Sequence, residues 1–374
     1  MRKDGTMKFE IDRLAMLGAA KNAAGVAPTN APVETLNGIL VECSDDTGSV
    51  FLTATNHEAS IQQKVTASVS DGGAVLVNAR MLVRMLSLLP GEHVAFAAAS
   101  PEAVTVTGGK CAYDISCLPA KHFPKPVMPF PEETVHITGI CSLAKRTMFA
   151  VSKDQHKPVM QCVNVKLRNN AVHAAACDGT RMMLIKDAAD TSDEREFLLP
   201  GRSLQMLASI SRDTDVFEVG DTGNDIVFTR GDMMFSMRKM PGQYMDTASV
   251  IKNVAPAYTA VADASKLKEA LGFVAVGSDM DRAPLNMALS GGQIHLRRHC
   301  GLSVAHMAVP ASISKDTPGT GFYYDIESLV KLFQVISGRV KVELDAKGVM
   351  LVKTMSEVYF QIPMRPPKAV REAA

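Results

Sequence analysis

The segment Asp325-Ile-Glu-Ser-Leu-Val-Lys-Leu-Phe-Gln-Val-Ile336 repeats apolar residues at three- and four-residue spacing, the pattern of a helix with one buried face. The same pattern occurs in Asn78-Ala-Arg-Met-Leu-Val-Arg-Met-Leu-Ser-Leu-Leu89 and in Pro200-Gly-Arg-Ser-Leu-Gln-Met-Leu-Ala-Ser-Ile210. The central leucines of the three segments are Leu82, Leu204 and Leu329, at intervals of 122 and 125 residues. One helical segment therefore recurs three times along the chain.

A second helical marker repeats with the same period. Leucine-centred helical stretches lie around Leu17, Leu143 and Leu267, at intervals of 126 and 124 residues. A period of about 125 residues is the size of a domain rather than of a solenoid repeat. Proline-rich passages near 118–131 and 239–256 separate the copies. The predicted domains are 1–130, 131–252 and 253–374.

Short, alternating, β-branched segments lie between the helical stretches of each repeat. They are 39–42, 50–55, 60–67, 163–167, 172–176, 226–229, 293–296, 340–344 and 350–352. Strands at a spacing of about ten residues, interrupted by two helices per repeat, are typical of helices packed on antiparallel sheet. The sequence therefore predicts an α+β protein of three repeated domains, each with two helices on an antiparallel sheet.

Composition excludes several classes of protein. The chain has 374 residues, is 47% hydrophobic and 21% charged, and carries a formal net charge of +1. No apolar run reaches the roughly eighteen residues of a membrane span, and the first residues lack the apolar core of a signal peptide. The seven cysteines are scattered without a Cys-x-x-Cys pair, which favours reduced thiols over a disulfide or zinc framework. We expect a cytoplasmic protein without a structural metal.

Basic residues lie opposite the buried leucines of the predicted helices. Arg80 and Arg84 are each two positions from Leu82, and two positions on a helix correspond to about 160° from the buried face. Arg202 and Lys331 have the same spacing from the central leucines of the other two copies. The earlier helices add Lys21, Lys145, Arg146 and Lys266. The pattern predicts exposed cations, and exposed cations on several helices favour contact with phosphates.

Several local motifs occur in a fixed order. They are Leu36-Asn-Gly-Ile-Leu40, Leu52-Thr-Ala-Thr-Asn56, Leu118-Pro-Ala-Lys-His-Phe-Pro124, Lys157-Pro-Val-Met160, Asp178-Gly-Thr-Arg181, Leu199-Pro-Gly-Arg-Ser-Leu204 and Tyr359-Phe-Gln-Ile-Pro-Met-Arg365. In this order, and with the threefold period, the chain resembles the bacterial β sliding clamps, the processivity factors of the replicative DNA polymerase. The resemblance implies a non-catalytic, cofactor-free homodimer that forms a closed ring, each chain contributing half of the ring. The helices would then line a hole that holds duplex DNA without sequence preference.

The resemblance also implies a hydrophobic pocket that takes short linear peptides of the replicative polymerase, the clamp loader and other clamp-binding proteins. Carried over to this sequence, the pocket residues are Met160, Cys177, Gly179, Thr180, Arg181, Met182, Phe360, Ile362, Pro363, Met364 and Arg365. Methionine suits such a surface, because its flexible and polarisable side chain repacks around different ligands.

Two further sets of residues follow from the resemblance. The DNA-contacting set is Lys21, Arg80, Arg84, Lys145, Arg146, Gln155, Lys157, Arg202, Lys266 and Lys331. The dimer contact places Tyr113 and Ile115 of one chain against the partner's Phe273 and the partner's Val276. A nine-residue extension, 366–374, continues beyond the terminal motif, and we expect it to compete weakly for the pocket or to remain an overhang.

Two alternative functions remain open at this stage. One is a divergent clamp-like binding platform without a processivity role. The other is a hydrolase or metal-dependent nuclease, for which the sequence offers little. His295 and His299 lie in a strand-like segment, where their spacing does not create a shared ligand edge as it would on a helix. Gly301-Leu-Ser303 lacks the second glycine of a nucleophile elbow, and no phosphate-binding loop of the Gly-x4-Gly-Lys type occurs.

Overall fold

A computed structural model describes residues 7–118, 120–189, 193–276, 284–300 and 303–366, with only the backbone at Cys300. The chain packs into two compact units, each built from two segments. Unit 1 comprises Met1–Cys141 and Arg202–Lys239, and unit 2 comprises Ser142–Gly201 and Met240–Ala374. Apart from Pro366, the predicted C-terminal extension lies outside the described residues.

Each of the six predicted helical stretches forms a helix. The helices are α1 Arg13–Ala24, α2 Ala79–Leu88, α3 Ile140–Thr147, α4 Gly201–Ser209, α5 Thr247–Lys252, α6 Ala264–Ala275 and α7 Ile326–Val335. The short helix α5 was not predicted. Local sequence fixes several starts: Asp12 accepts a hydrogen bond from the Ala15 amide at 2.7 Å, and Asn78 accepts one from the Met81 amide at 3.2 Å. Such side-chain caps satisfy amides that have no partner inside the helix.

The repeated leucines form the buried sides of these helices. Leu17, Leu82, Leu143, Leu204, Leu267 and Leu329 are all buried, the most exposed of them at 9%. Helix α1 packs on α2, and α6 packs on α7. The period of about 125 residues that the leucines indicate is therefore confirmed as a repeat of buried helix faces.

The strands alternate with the helices along the chain. The first thirteen are β1 Met7–Asp12, β2 Gly38–Ser44, β3 Ser49–Thr55, β4 Ala59–Thr66, β5 Ser68–Asp71, β6 Gly73–Asn78, β7 His93–Ser100, β8 Ala103–Gly108, β9 Cys111–Ser116, β10 Val135–Thr138, β11 Cys162–Arg168, β12 Ala171–Cys177 and β13 Arg181–Ala188. The others are β14 Arg195–Pro200, β15 Val216–Asp221, β16 Asp225–Arg230, β17 Met233–Arg238, β18 Pro256–Asp263, β19 Leu285–Ser290, β20 Gln293–Cys300, β21 Ser303–Pro310, β22 Ser312–Ile313, β23 Phe322–Tyr324, β24 Arg339–Asp345, β25 Met350–Lys353 and β26 Glu357–Gln361. All nine predicted strand segments fall on strands.

Unit 1 contains two antiparallel sheets. One has the order β5-β1-β7-β8-β9, and the other has the order β10-β15-β16-β17-β4-β3-β2-β6. Strand β1 alternates buried Met7, Phe9 and Ile11 with exposed polar residues, as expected for a strand with one face in the core. The rings of Phe9 and Phe96 stack at 4.7 Å between centroids across β1 and β7.

Unit 2 also contains two antiparallel sheets, with the orders β14-β11-β12-β13-β26-β25-β24-β18-β22 and β21-β20-β19-β23. In each unit one sheet joins strands that the sequence assigns to different domains: β4 pairs with β17 in unit 1, and β13 pairs with β26 in unit 2. These pairings divide the predicted middle domain between the two units. The three domain ranges stay a prediction.

Candidate functional site

The pairing of β13 with β26 brings two distant parts of the predicted pocket together. Met182 lies directly opposite Phe360, and the Ile362 amide continues the ladder by donating to the Thr180 carbonyl at 2.9 Å. Met182 also lies opposite Cys177 across β12 and β13. The Asp-Gly-Thr-Arg motif and the terminal motif therefore meet on one sheet face.

A buried apolar cluster lies beneath this surface. Its buried members are Cys162, Ala175, Cys177, Met182, Leu198 and Tyr244, and Val159, Leu184, Met240, Val250 and Phe360 pack against them. Burial raises the pKa of the Cys162 thiol to about 12 and also raises the pKa of Cys177. The thiolate is the reactive form of cysteine, so both residues act as small apolar side chains at neutral pH.

The turn before β13 owes its shape to Asp178 and Gly179. The Asp178 carboxylate accepts hydrogen bonds from the amides of Thr180 at 2.8 Å and Arg181 at 3.1 Å. Gly179 has a φ of +96°, in the left-handed region that side chains disfavour. An Asp-Gly pair supplies both requirements, so this motif forms a turn rather than a catalytic carboxylate site.

Two carboxylates fix the orientation of Arg181. Its Nε lies 2.8 Å from Oδ2 of Asp178 as a close ion pair without ideal hydrogen-bond alignment, and its Nη1 donates to Oδ2 of Asp325 at 3.1 Å. Its side chain is only 19% exposed. Arg181 therefore presents its remaining N–H groups from a fixed position, which suits recognition of a peptide carbonyl.

The terminal motif leaves apolar side chains at the surface. The Met364 amide donates to the Tyr323 carbonyl at 2.7 Å, which ties the chain to unit 2 after β26 ends. Ile362 and Met364 are 39% and 40% exposed, Pro363 is half-buried, and Arg365 is exposed. The backbone is thus held while the side chains remain available to a ligand.

Sequence reasoning missed the segment that covers part of the cluster. Met240, Tyr244 and Val250 pack there, although Lys239-Met-Pro-Gly-Gln-Tyr244 was interpreted only as a domain boundary. The signal was present, because apolar residues recur within an otherwise polar and proline-containing linker. Burial raises the pKa of Tyr244, whose hydroxyl lies near Cys177 without a hydrogen bond of normal geometry.

Residues 155–160 lie beside the same turn. The Met160 amide donates to the Lys157 carbonyl at 3.0 Å within the 3-10 helix Pro158–Gln161, and Met160 itself is half-buried. A Cβ added to Gly179 would lie 3.6 Å from the Lys157 ammonium. Lys157, which is predicted to contact DNA, therefore lies next to the turn formed by Asp178 and Gly179. Gln155 is exposed nearby in sequence.

Most of the predicted DNA-contacting residues are exposed. This group comprises Lys21, Arg80, Arg84, Lys145, Gln155, Lys157, Arg202, Lys266 and Lys331. Lys331 forms a loose pair with Glu327 at 3.9 Å on the same helix. These side chains reach solvent, and their contact with DNA stays a prediction.

Arg146 is the exception, and the prediction that it is exposed with the others is wrong. Its guanidinium forms an ion pair with Asp187 and donates to Glu357 at 3.1 Å, and its side chain is only 14% exposed. Burial alone lowers the pKa of Arg146, but the two carboxylates outweigh burial and raise it. Helix α3 is short, and Arg146 near its end turns toward β13 and β26 instead of toward solvent.

The residues predicted at the dimer contact also include both exposed and buried side chains. Tyr113 on β9 is 39% exposed, and Phe273 and Val276 are 57% and 73% exposed. Ile115 is only 7% exposed, although it shares a face of β9 with Tyr113. Ile115 therefore offers little surface for this contact, and its part in the contact stays a prediction. In the described part of the chain, β9 pairs only with β8 and β21 only with β20, so each leaves one edge open.

Other features of the described residues add no catalytic centre. A cavity of about 510 Å³ in unit 1 is lined by Asp12, Ala15, Gln63, Lys64, Val65, Thr66, Arg230, Asp232 and Met233, none of which is a predicted site residue. Within the described ranges, no three His, Cys, Asp or Glu residues are placed to share a metal ion. His295 and His299 lie on strand β20 as predicted. None of the described helices is long and apolar enough to span a membrane.

Sequence comparison identifies the relatives of this chain. The N-terminal domain of the DNA polymerase III beta subunit matches residues 7–129, and the central domain of that subunit matches residues 134–246. The beta sliding clamp of Micrococcus luteus is 26% identical over 314 residues, which cover 82% of this chain and the whole relative. That of Bacillus subtilis is 24% identical over 260 residues, covering 66% of this chain and 68% of the relative.

Solved structures agree on the fold. The DNA polymerase sliding clamp of Bacillus subtilis has a TM-score of 0.86 at 19% identity, and the DNA polymerase III beta subunit of Thermotoga maritima has a TM-score of 0.86 at 18% identity. Each comparison covers 96% of this chain and all of the relative. The fold and the sequence matches define a DNA clamp, a class of non-catalytic processivity factors. The chain belongs to the DNA polymerase III beta subunit family, the bacterial sliding clamps of DNA replication.

Proposed function

We propose that two copies of this chain close a ring around duplex DNA and that the surface around Met182, Phe360 and Met364 holds peptides of partner proteins. The partners we propose are the replicative polymerase, the clamp loader and other proteins that carry a clamp-binding peptide. Membership of the sliding-clamp family supports DNA and polymerase as partners.

The pairing of β13 with β26 is the observation that carries the peptide-docking proposal. It places buried Met182 opposite half-buried Phe360 at one edge of the apolar cluster, and the hydrogen bond between Met364 and Tyr323 holds the adjoining chain. Binding energy in interfaces concentrates in a few well-packed residues around such an apolar centre. A preformed surface also costs a peptide little in protein ordering.

The closed ring is supported by two of the open sheet edges, those of β9 and β21. An exposed edge is a template for uncontrolled pairing, and closure of a ring removes that hazard. Strands β9 and β21 each have an open edge in the described structure, and exposed Tyr113 and Phe273 provide apolar area for contact. We propose that β9 of one copy meets β21 of the other.

Retention on DNA of different topology tests the ring. A clamp that encircles duplex should co-elute with nicked circular DNA in gel filtration, and linearising the circle should release it. The variant Phe273→Asp with Val276→Asp should abolish both dimerisation and retention, since it places charges in the proposed apolar contact. A wild-type protein that is monomeric at micromolar concentration and never retained would disprove ring closure. Peptide binding by such a monomer would instead indicate a binding platform without a processivity role.

A further inference from the structure

The sheet face that carries the candidate pocket continues beyond it along β13 and β26. Alternate residues of a strand share a face, so Leu184 and then Lys186 follow Met182, and Val358 follows Phe360. Leu184 lies directly opposite Val358, and both are half-buried. We call the surface formed by Leu184, Val358 and Lys186 the docking strip. It is an apolar track that leads from the pocket to a lysine.

Basic residues surround the far end of the docking strip. Lys186 is exposed and lies opposite His173, which in turn lies opposite Lys166. Arg168 follows Lys166 on the same face of β11, and Lys353 lies opposite Val358 on the other side of the strip. The sheet therefore changes from apolar to basic within two residue pairs.

Carboxylates compensate only some of these charges. Lys166 pairs with Glu196 at 3.1 Å, and Lys353 pairs with Glu343 at 2.6 Å. No carboxylate within the described ranges forms an ion pair with Lys186 or Arg168. Asp187, adjacent to Lys186 in sequence, and Glu357, adjacent to Val358, lie on the opposite sheet face and form ion pairs with Arg146.

The lowered pKa of His173 reflects burial first and the neighbouring cations second. Burial lowers the pKa of His173, and the nearby charges of Arg168 and Lys186 lower it further. Burial disfavours charge of either sign, so only the part of the lowering that comes from Arg168 and Lys186 indicates a positive field at this end of the sheet. This agrees with the unpaired cations, on which the inference rests.

We propose that the docking peptides of this clamp carry acidic residues beside their apolar motif and that these residues bind along the docking strip to Lys186 and Arg168. The inference rests on the proposed peptide docking at Met182 and Phe360. A strand rises by about 3.4 Å per residue, so Lys186 lies about four residues of extended chain from Met182. The acidic residues are therefore expected about four positions from the apolar anchor.

The chemistry of the strip favours a peptide over single-stranded nucleic acid. Non-specific strand binding relies on aromatic side chains on which successive bases stack. The docking strip offers aliphatic Leu184 and Val358 instead, beyond the single ring of Phe360. An extended peptide can place apolar and acidic side chains in the order in which the surface presents their partners.

Matched peptides test the proposal. A peptide that binds the full-length protein would first be selected from a random library. It would then be synthesised with four glutamates, or with four glutamines, beginning four residues from its apolar anchor. Peptides with this block on the N-terminal side and peptides with it on the C-terminal side of the anchor would both be made. We expect the glutamate form to bind about three- to tenfold more tightly at low salt, and the difference to vanish near 0.5 M salt, since exposed ion pairs are weak and screened. In the variant Lys186→Gln with Arg168→Gln, the two forms should bind equally, at the affinity of the glutamine form.

Control variants separate the possible failures. Lys110→Gln removes an exposed lysine in unit 1 and should keep the full advantage of the glutamate form. Equal binding of the two forms to the wild type would overturn the inference and leave the pocket intact. If Met364→Ala weakens neither form, the docking surface is elsewhere, and the proposed function fails with the inference. Displacement of both forms by an oligothymidylate that depends on Lys186 would assign the strip to nucleic acid instead.

Discussion

Two groups of basic residues in this clamp are held in different ways. Around the candidate pocket, Arg181 is fixed between Asp178 and Asp325 and is mostly buried. On helix α2, Arg80 and Arg84 are exposed, and no ion pair with either occurs among the described residues. The pocket cation is thus part of a rigid surface, whereas the helix cations are long side chains on a rigid support.

The difference matches two kinds of recognition. A peptide site gains affinity from groups that are already in place, because less ordering is needed on binding. A surface that moves along DNA should contact phosphates without fixing a register, since phosphates carry no sequence information. The unpaired cations of α2 suit contact with phosphates, and the ion-paired Arg181 suits a fixed contact with a peptide backbone.

Arg146 and Arg84 give the sharpest test of this distinction, with the largest expected effect. Arg146→Ala leaves Asp187 and Glu357 without their cation, and we expect it to lower the free energy of unfolding by about 2 kcal/mol. Arg84→Ala removes an exposed side chain of α2 and should change stability by less than about 0.5 kcal/mol. Urea unfolding of both variants measures the two values. Equal, small losses would show that the Arg146 cluster contributes nothing.

Met364 tests the apolar part of the pocket. Truncation to alanine should weaken a pocket-binding peptide by about 1.5 kcal/mol, because the bound peptide would bury less methionine surface. Calorimetry with the selected glutamine-form peptide measures the change. Met355 is a matched control, since it is fully exposed in the turn between β25 and β26. If Met355→Ala has the larger effect, the peptide binds in the turn region instead of the pocket.

The sequence anticipates those parts of the molecule whose pattern is local. The six leucines give the helices because burial of one helix face requires a 3.6-residue period, and the Asp178-Gly179 pair gives the turn because it supplies a cap and a left-handed residue. In each case, the residues that form the signal lie within a few positions of one another in the sequence. They hold in the structure for that reason.

The parts that were missed depend on contacts between distant segments. The burial of the Arg146 side chain depends on its hydrogen bond to Glu357, which lies more than two hundred residues further along the chain. Ile115 is buried although it shares a face of β9 with exposed Tyr113, and Tyr244 covers the pocket cluster from a segment interpreted as a linker. Helix periodicity and strand patterns contain no information on such partners.

The exposed cations of helix α2 should act through salt-dependent binding alone. Replacing Arg80 and Arg84 with glutamine should lower affinity for linear duplex and reduce the slope of log affinity against log salt by about one unit per lost phosphate contact. Fluorescence anisotropy over a salt series measures the slope. Arg13→Gln is the control, because Arg13 already donates to the carbonyls of Gly91 and Leu86. An unchanged slope in the double variant would remove α2 from the DNA-contacting surface.

The smallest expected effect concerns His173, at the basic end of the docking strip. Its pKa is lowered in the folded protein, so the unfolded chain takes up a proton at higher pH than the folded chain does. Stability should therefore be complete above about pH 6.5 and fall as the pH drops below that value, with a slope under 1.4 kcal/mol per pH unit, roughly the limit for one proton. His173→Gln should flatten this part of the curve.

Addition of the glutamate-form peptide should raise the pKa of His173 in an NMR titration, because carboxylates would offset Lys186 and Arg168. The glutamine form should leave it unchanged, and His57 of unit 1 should not respond to either peptide. A response of His173 to both forms would mean that burial by the peptide, rather than charge, governs this end of the strip.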